Sequence, residues 1–224
     1  LFLRRMIKAK LDILRAEIPS SVTLIAVSKT KPVSDISVAY AAGQRHFGEN
    51  KVQEMVEKAA QLPPDIKWHL IGHLQTNKVK YMAGFVHLIH GVDSLKLLVE
   101  INKQAAKVSR MQDVLLQFHI AQEETKFGLN LSEAQDLLSS NAFEQLQYIR
   151  ICGVMGMASF TTNQNQISQE FEHLVQIFKQ LQEGFFKNQD HFKEISMGMS
   201  GDYQLAISKG STMVRVGSKI FGGR

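Results

Sequence analysis

Short apolar, β-branched runs recur along the chain, and each is followed by a turn and then by apolar residues at helical spacing. This alternation constrains the fold more than any single motif. Eight runs can be read as strands: Val22 to Val27, Arg45 to Phe47, Lys67 to Ile71, Val86 to His90, Val114 to Ile120, Ile149 to Met155, Glu194 to Met197 and Met213 to Val216. The helices between them announce themselves by spacing and punctuation. Val33, Ile36, Val38, Ala39 and Ala42 lead to Gly43, while Val52, Met55, Val56 and Ala59 form the next apolar face. A helix is expected from about Gln75 to Met82, and Asp93 and Ser94 mark the cap of another that carries Leu95, Leu97, Leu98, Val99 and Ile101. Further helices are expected over Ser132 to Leu138, Ile167 to Leu181 and Tyr203 to Ser208.

Strands separated by helices, with no run of hairpins, pair in parallel through right-handed crossovers. Eight is the number at which such a sheet closes into a barrel filled by its own side chains. The expected fold is therefore α/β, a single TIM (β/α)8 barrel; a doubly wound open sheet is the alternative. At 224 residues and 44% hydrophobic the chain suits one core, and no Gly, Pro or Ser linker interrupts it, so residues 1–224 read as one domain. Ile7, Leu11, Leu14 and Ile18 place an extra amphipathic helix over residues 1–18, ending before Pro19. No small-residue cleavage site follows it, so the apolar, basic opening reads as this helix rather than a targeting segment. The chain opens on Leu1 rather than methionine, which leaves its native start open.

The net charge of +5 comes from Lys and Arg scattered among acidic residues, without a basic run interleaved with aromatics, and this argues against nucleic-acid binding. No apolar run is long enough to span a bilayer, which argues against a membrane protein. Cys152 is the only cysteine; it cannot form an intrachain disulfide or a thiolate-rich metal site, and a cytoplasmic, reducing setting is expected.

In such a barrel, function gathers on the loops that follow strands. Lys29, Asn50, His73, Lys126, Met155 to Met157, Ser200 and Arg215 to Ser218 all occupy such loops or strand ends. Lys29 closes the run Leu24-Ile25-Ala26-Val27-Ser28, where partial loss of hydration favours the neutral, nucleophilic amine. Ser196-Met197-Gly198-Met199-Ser200-Gly201-Asp202 and Val214-Arg215-Val216-Gly217-Ser218 follow strands seven and eight, the places where such barrels bind phosphate. A phosphorylated ligand follows, and a barrel aldolase and a pyridoxal phosphate site both satisfy this pattern. The pairs His69/His73 and His87/His90 have spacings found in metal sites, but residues three apart on a strand face opposite sides and no carboxylate cluster accompanies them. They read as core or rim histidines, and Cys152 as a buried strand residue.

Taken together, several segments resemble the pyridoxal phosphate homeostasis protein family. They are Ala26-Val27-Ser28-Lys29-Thr30-Lys31-Pro32, Phe47-Gly48-Glu49-Asn50, Trp68-His69-Leu70-Ile71-Gly72-His73, Lys126-Phe127-Gly128, Ser196 to Asp202 and Val214 to Gly222. The resemblance runs from about Val22 to Gly222 in the same order and spacing. It implies a barrel similar to the amino-terminal domain of alanine racemase, with pyridoxal 5'-phosphate held by Lys29 as a Schiff base. Carried over by motif, Ser200 with the backbone of Gly217 and Ser218 would hold the phosphate. Arg215 would face the pyridine nitrogen, Asn50 and His73 would line the ring, and Met155 and Met199 would add apolar walls. Ser218 stands where a threonine is also familiar, which keeps the hydroxyl.

An arginine at the pyridine nitrogen disfavours its protonation and weakens the ring as an electron sink. Racemisation would then need a second base, a tyrosine supplied in alanine racemase by a carboxy-terminal β-domain. Tyr40, Tyr81, Tyr148 and Tyr203 fall in expected helices or at a strand start, and the sequence ends at Arg224 soon after the last strand. The expectation is a non-enzymatic carrier that acts in vitamin B6 homeostasis and cofactor delivery, monomeric, with apo-enzymes as transient partners. An amino-acid racemase is the alternative.

Overall fold

The computed structural model describes residues 2–123 and 127–223. Among them, eight parallel strands close into a barrel in sequence order: β1 (Thr23–Val27), β2 (His46–Glu49), β3 (Lys67–Leu70), β4 (Leu88–Val92), β5 (Gln112–Phe118), β6 (Ile149–Gly156), β7 (Glu194–Met199) and β8 (Met213–Val216). The open-sheet alternative fails at β1, which pairs with both β2 and β8. Ile25 is in register with Arg215 and Ala26 with Val216, so the loops carrying Lys29 and Gly217 become neighbours.

Helices clothe the barrel: α1 (Phe2–Glu17), α2 (Val33–Ala41), α3 (Val52–Ala59), α4 (Leu95–Lys107), α5 (Leu131–Leu138), α6 (Asn141–Glu144), α7 (Gln164–Gly184), α8 (Tyr203–Ser208) and α9 (Ser218–Phe221). The expected amino-terminal helix is α1; Ile7, Leu11, Leu14 and Ile18 are all buried, each worth roughly 1.5–3 kcal/mol of apolar burial. Arg15 then ties it to the end of α2 by donating to the Ala42 carbonyl at 2.6 Å. Ser94 caps α4 by accepting the Leu97 amide, as its sequence position suggested. The stripe of α7 is core, with Phe171, Leu174, Phe178 and Leu181 buried.

Several expected elements differ; the fifth strand, for instance, runs two residues earlier than the apolar run suggested, over Gln112–Phe118. The segment from Gln75 to Met82 is a 3-10 helix over Thr76–Tyr81 rather than an α-helix. The fourth strand runs two residues later than the apolar run suggested, over Leu88–Val92, with an irregular register between Ile89 and Val92. Gly91 permits this shift, because a Cβ there would lie 2.8 Å from the Gly72 carbonyl.

Two packing regions result. The larger apolar core lies between barrel and helices, whereas Ile25, Leu88, Leu115, Cys152, Met155 and Met213 form a smaller cluster of their own. Buried polar residues His69, His90, Ser196 and Arg215 come from four different strands. Their hydrogen bonds run from strand to strand across the barrel interior.

Candidate functional site

A cavity of about 610 Å³ opens where the loops after β1, β2, β3, β7 and β8 converge. Lys29, Asn50, His73, Met199, Ser200, Arg215, Gly217 and Ser218 all line it. Among its described lining residues there is no carboxylate, while Lys29, Lys31 and Arg215 supply cationic groups. Such a site favours a compact anion. Its size is that of an ordinary small-molecule pocket.

Lys29 is partly buried, and its neighbours in sequence are locked from below. Ser28 is fully buried; its amide donates to the Gly48 carbonyl at 3.0 Å and its hydroxyl to Glu49 Oε1 at 2.6 Å. Lys58, buried on α3, donates to Glu49 Oε1, Glu54 Oε1 and the Ser28 carbonyl, each at 2.7 Å. Glu54 also accepts the Thr30 amide at 2.6 Å. Thr30 has φ +64°, a left-handed conformation that a β-branched residue adopts only when its surroundings impose it. The Lys58–Glu54 clamp imposes it here, and so aims the backbone on either side of Lys29. Burial pushes the Glu49 carboxyl above the usual range, against the pull of Lys58 and Ser28, and its Oε2 has no hydrogen-bond partner among the described residues.

In the same cavity, Ser200 Oγ accepts the Gly217 amide at 3.2 Å, joining the two glycine-rich loops that the sequence assigned to phosphate. Gly198 has φ +96°, and a Cβ there would lie 2.6 Å from the Ala206 Cβ, so glycine lets the β7 loop turn tightly against α8. Arg215, only 3% exposed, lines the same cavity. Its Nη1 donates to Ser196 Oγ at 2.5 Å and its Nη2 to the Gly156 carbonyl at 3.1 Å. Burial lowers its pKa to about 10, with Asp202 acting in the other direction, so it remains a cation at neutral pH.

Arg215 is the upper end of a chain of contacts down the barrel. Ser196 Oγ meets His90 Nδ1, His90 Nε2 meets His69 Nδ1, and His69 Nε2 meets His46 Nδ1, each at 2.9 Å. Burial holds His69 and His90 well below the usual histidine range, so both rings are neutral. Each ring offers one nitrogen to each neighbour, which fixes its orientation.

His73 stands at the rim, 45% exposed, with its ring stacked on Phe127 at a centroid distance of 4.4 Å. His69 and His90 are thus buried in the core, and His73 is a rim residue. Met155 is the one expected wall residue that the cavity lacks. It is fully buried in the inner cluster, and Met157, two residues on, lines the cavity instead. Lys126 lies outside the described residues. Gln117, at the end of β5, also lines the cavity and donates to the Phe127 carbonyl at 3.1 Å. Sequence reasoning missed it, although its place at a strand end would have passed the same filter as Asn50. Tyr40, Tyr81, Tyr148 and Tyr203 do not line the cavity; Tyr203 is buried with its hydroxyl bonded to Glu17, and Tyr40 donates to Asp65.

Residues 4–224 match the family model described as alanine racemase, N-terminal domain. The pyridoxal phosphate homeostasis protein of Aquifex aeolicus is 38% identical over 202 residues, covering 90% of this chain and 86% of the relative. That of Escherichia coli is 37% identical over 210 residues, with coverage of 92% and 87%. Among solved structures, PipY of Synechococcus elongatus with PLP bound is 37% identical with a TM-score of 0.86, covering 96% of this chain and 100% of that one. Alanine racemase of Clostridium difficile, 13% identical with a TM-score of 0.76, shares the fold, and this chain covers 57% of it. The chain belongs to the pyridoxal phosphate homeostasis protein family, within the alanine racemase N-terminal domain class of barrels.

Proposed function

We propose that this protein binds pyridoxal 5'-phosphate through Lys29 and serves intracellular vitamin B6 homeostasis and delivery without catalytic turnover. The observation that carries the reading is one cavity lined by a lysine after β1, a hydroxyl and amides after β7 and β8, and a buried arginine. The donor set fits the cofactor's three functional parts: an aldehyde, a phosphate dianion and a pyridine nitrogen. When bound, the cofactor supplies an electrophilic aldehyde and a ring that can absorb carbanion electrons. Lys29 would hold the cofactor's aldehyde through its Nζ, Ser200 and the amides of Gly217 and Ser218 would hold the phosphate, Asn50 and His73 would line the ring, and Met199 and Met157 would supply apolar wall. Met155 stiffens that wall from within the barrel.

Arg215 is held by Ser196 and Gly156, and its charge at neutral pH opposes protonation of the pyridine nitrogen. A ring kept neutral there is a weak electron sink, which suits storage over chemistry. No tyrosine lines the cavity to act as a second base, and the racemases similar to this chain share only its fold. Carrier function, one domain over residues 1–224, a monomeric state, a cytoplasmic setting and transient apo-enzyme partners form one consistent account. No helix is long and apolar enough to cross a membrane among the described residues.

The test is the visible spectrum of freshly purified protein. A yellow band that disappears in Lys29→Ala supports the reading. A colourless protein whose lysine is trapped only with a phosphorylated sugar supports an aldolase instead. Exchange of amino-acid α-protons into deuterium far above the rate with free cofactor would make it a racemase.

A further inference from the structure

At the other end of the barrel from the cofactor cavity, the geometry points to a three-histidine site for a divalent transition metal, formed by His46, His69 and His87. One nitrogen from each ring lies within 4.8 Å of the other two. His46 opens β2, His69 lies within β3, and His87 precedes β4, its amide donating to the Trp68 carbonyl at 2.8 Å. Three adjacent strands thus bring one ring each to a common point, a convergence invisible in sequence spacing.

Imidazole nitrogens suit Zn²⁺, and a tetrahedral ion bound at about 2.0–2.1 Å holds its ligands roughly 3.3 Å apart. His46 Nδ1 and His69 Nε2 are already 2.9 Å apart. His87 is half-buried, with its ring centroid 5.2 Å from that of His69 and 5.8 Å from that of His46.

His69 already has the support usual for a metal-bound imidazole: its second nitrogen meets His90, which is anchored on Ser196. A cavity of about 660 Å³ lined by Gln44, Arg45, His46, Asp65 and Lys67 reaches the His46 side of the site. The cations around the site do not close it. Arg45 is paired with Asp65 at 3.0 Å, Arg150 with Asp113 at 2.7 Å, and Lys67 is exposed and able to turn outward. Arg110 is directed to the Ala83 and Val86 carbonyls. Three protein ligands leave a fourth position for water.

The experiment is isothermal titration of the untagged full chain with ZnCl2, followed by metal analysis after dialysis. One equivalent should bind with Kd of about 1 µM or tighter. His46→Gln and His87→Ala, both at half-buried positions, should each weaken it about 100-fold or more, whereas His173→Ala on the exposed face of α7 should not change it. Added Zn²⁺ should raise the melting temperature of the wild type and not that of His87→Ala. Binding weaker than about 100 µM, or affinity unchanged in both variants, would overturn the assignment. Cofactor content does not enter any of these readouts, so the outcome is independent of the function of the Lys29 site.

Discussion

Replacing Lys58 with methionine probes the platform under Lys29. Lys58 is 6% exposed and Glu49 is fully buried, and the ammonium is hydrogen-bonded at 2.7 Å to Glu49, Glu54 and the Ser28 carbonyl. Methionine keeps most of the volume but leaves Glu49 without its counter-charge, and stranding one member of a buried ion pair costs about 3–5 kcal/mol. For a chain of this size that lowers the melting temperature on the order of 10 °C. The pH dependence follows from Glu49. Its folded carboxyl already lies above the unfolded value, so the stability it contributes is present in acid and lost as pH rises through the raised value. Removing Lys58 raises it further, so the deficit of the variant should be larger at about pH 7.5 than at about pH 5. Urea unfolding at the two pH values measures both quantities. The double variant Lys58→Met/Glu49→Leu, which removes both charges together, should recover more than half the loss. A deficit under about 1 kcal/mol at neutral pH, or one equal at both pH values, would refute the buried-pair account.

Thr30→Gly should relieve the left-handed backbone at φ +64°. After glycine's entropic cost the net gain is about 0.5 kcal/mol, and a lowered urea midpoint would contradict the strain reading. Ser200→Ala should weaken cofactor retention about 10-fold, read by spectrophotometric titration, because the phosphate loses a hydroxyl donor and the Gly217 amide loses its acceptor. Its effect on unfolding should stay below about 1 kcal/mol, since the position is partly exposed. Cys152 is buried, and burial, reinforced by Asp113, pushes its thiol up to about 12. It should resist iodoacetamide at about pH 8 until denaturant is added, and rapid labelling of the native protein would show that the inner cluster is open.

Much of this architecture was legible because its signals are local. The helical spacing of Ile7, Leu11, Leu14 and Ile18, the apolar strand runs and the glycines after β7 and β8 each specify a conformation over a few residues. Positions after strands were then enough to collect Lys29, Asn50, His73, Ser200, Arg215 and Gly217 at one cavity. What escaped depends on register and curvature. Met155 and Met157 both pass a strand-end filter, and only the three-dimensional path of β6 makes Met157 the wall residue. The Lys58–Glu49–Ser28 network joins three elements, and Lys58 reads in sequence as one more helix-face charge. Histidines compared in pairs along the sequence read only as core or rim residues, because the contacts of His46, His69 and His90 run across strands.

The most direct test of the central claim is to reduce the freshly purified protein with borohydride, digest it and map the modified peptide. The account predicts the reduced pyridoxal phosphate mass on Lys29 alone, with near-stoichiometric yield. A cofactor mass on Lys31, Lys58 or any other lysine, or none on Lys29 in a yellow protein, would contradict it.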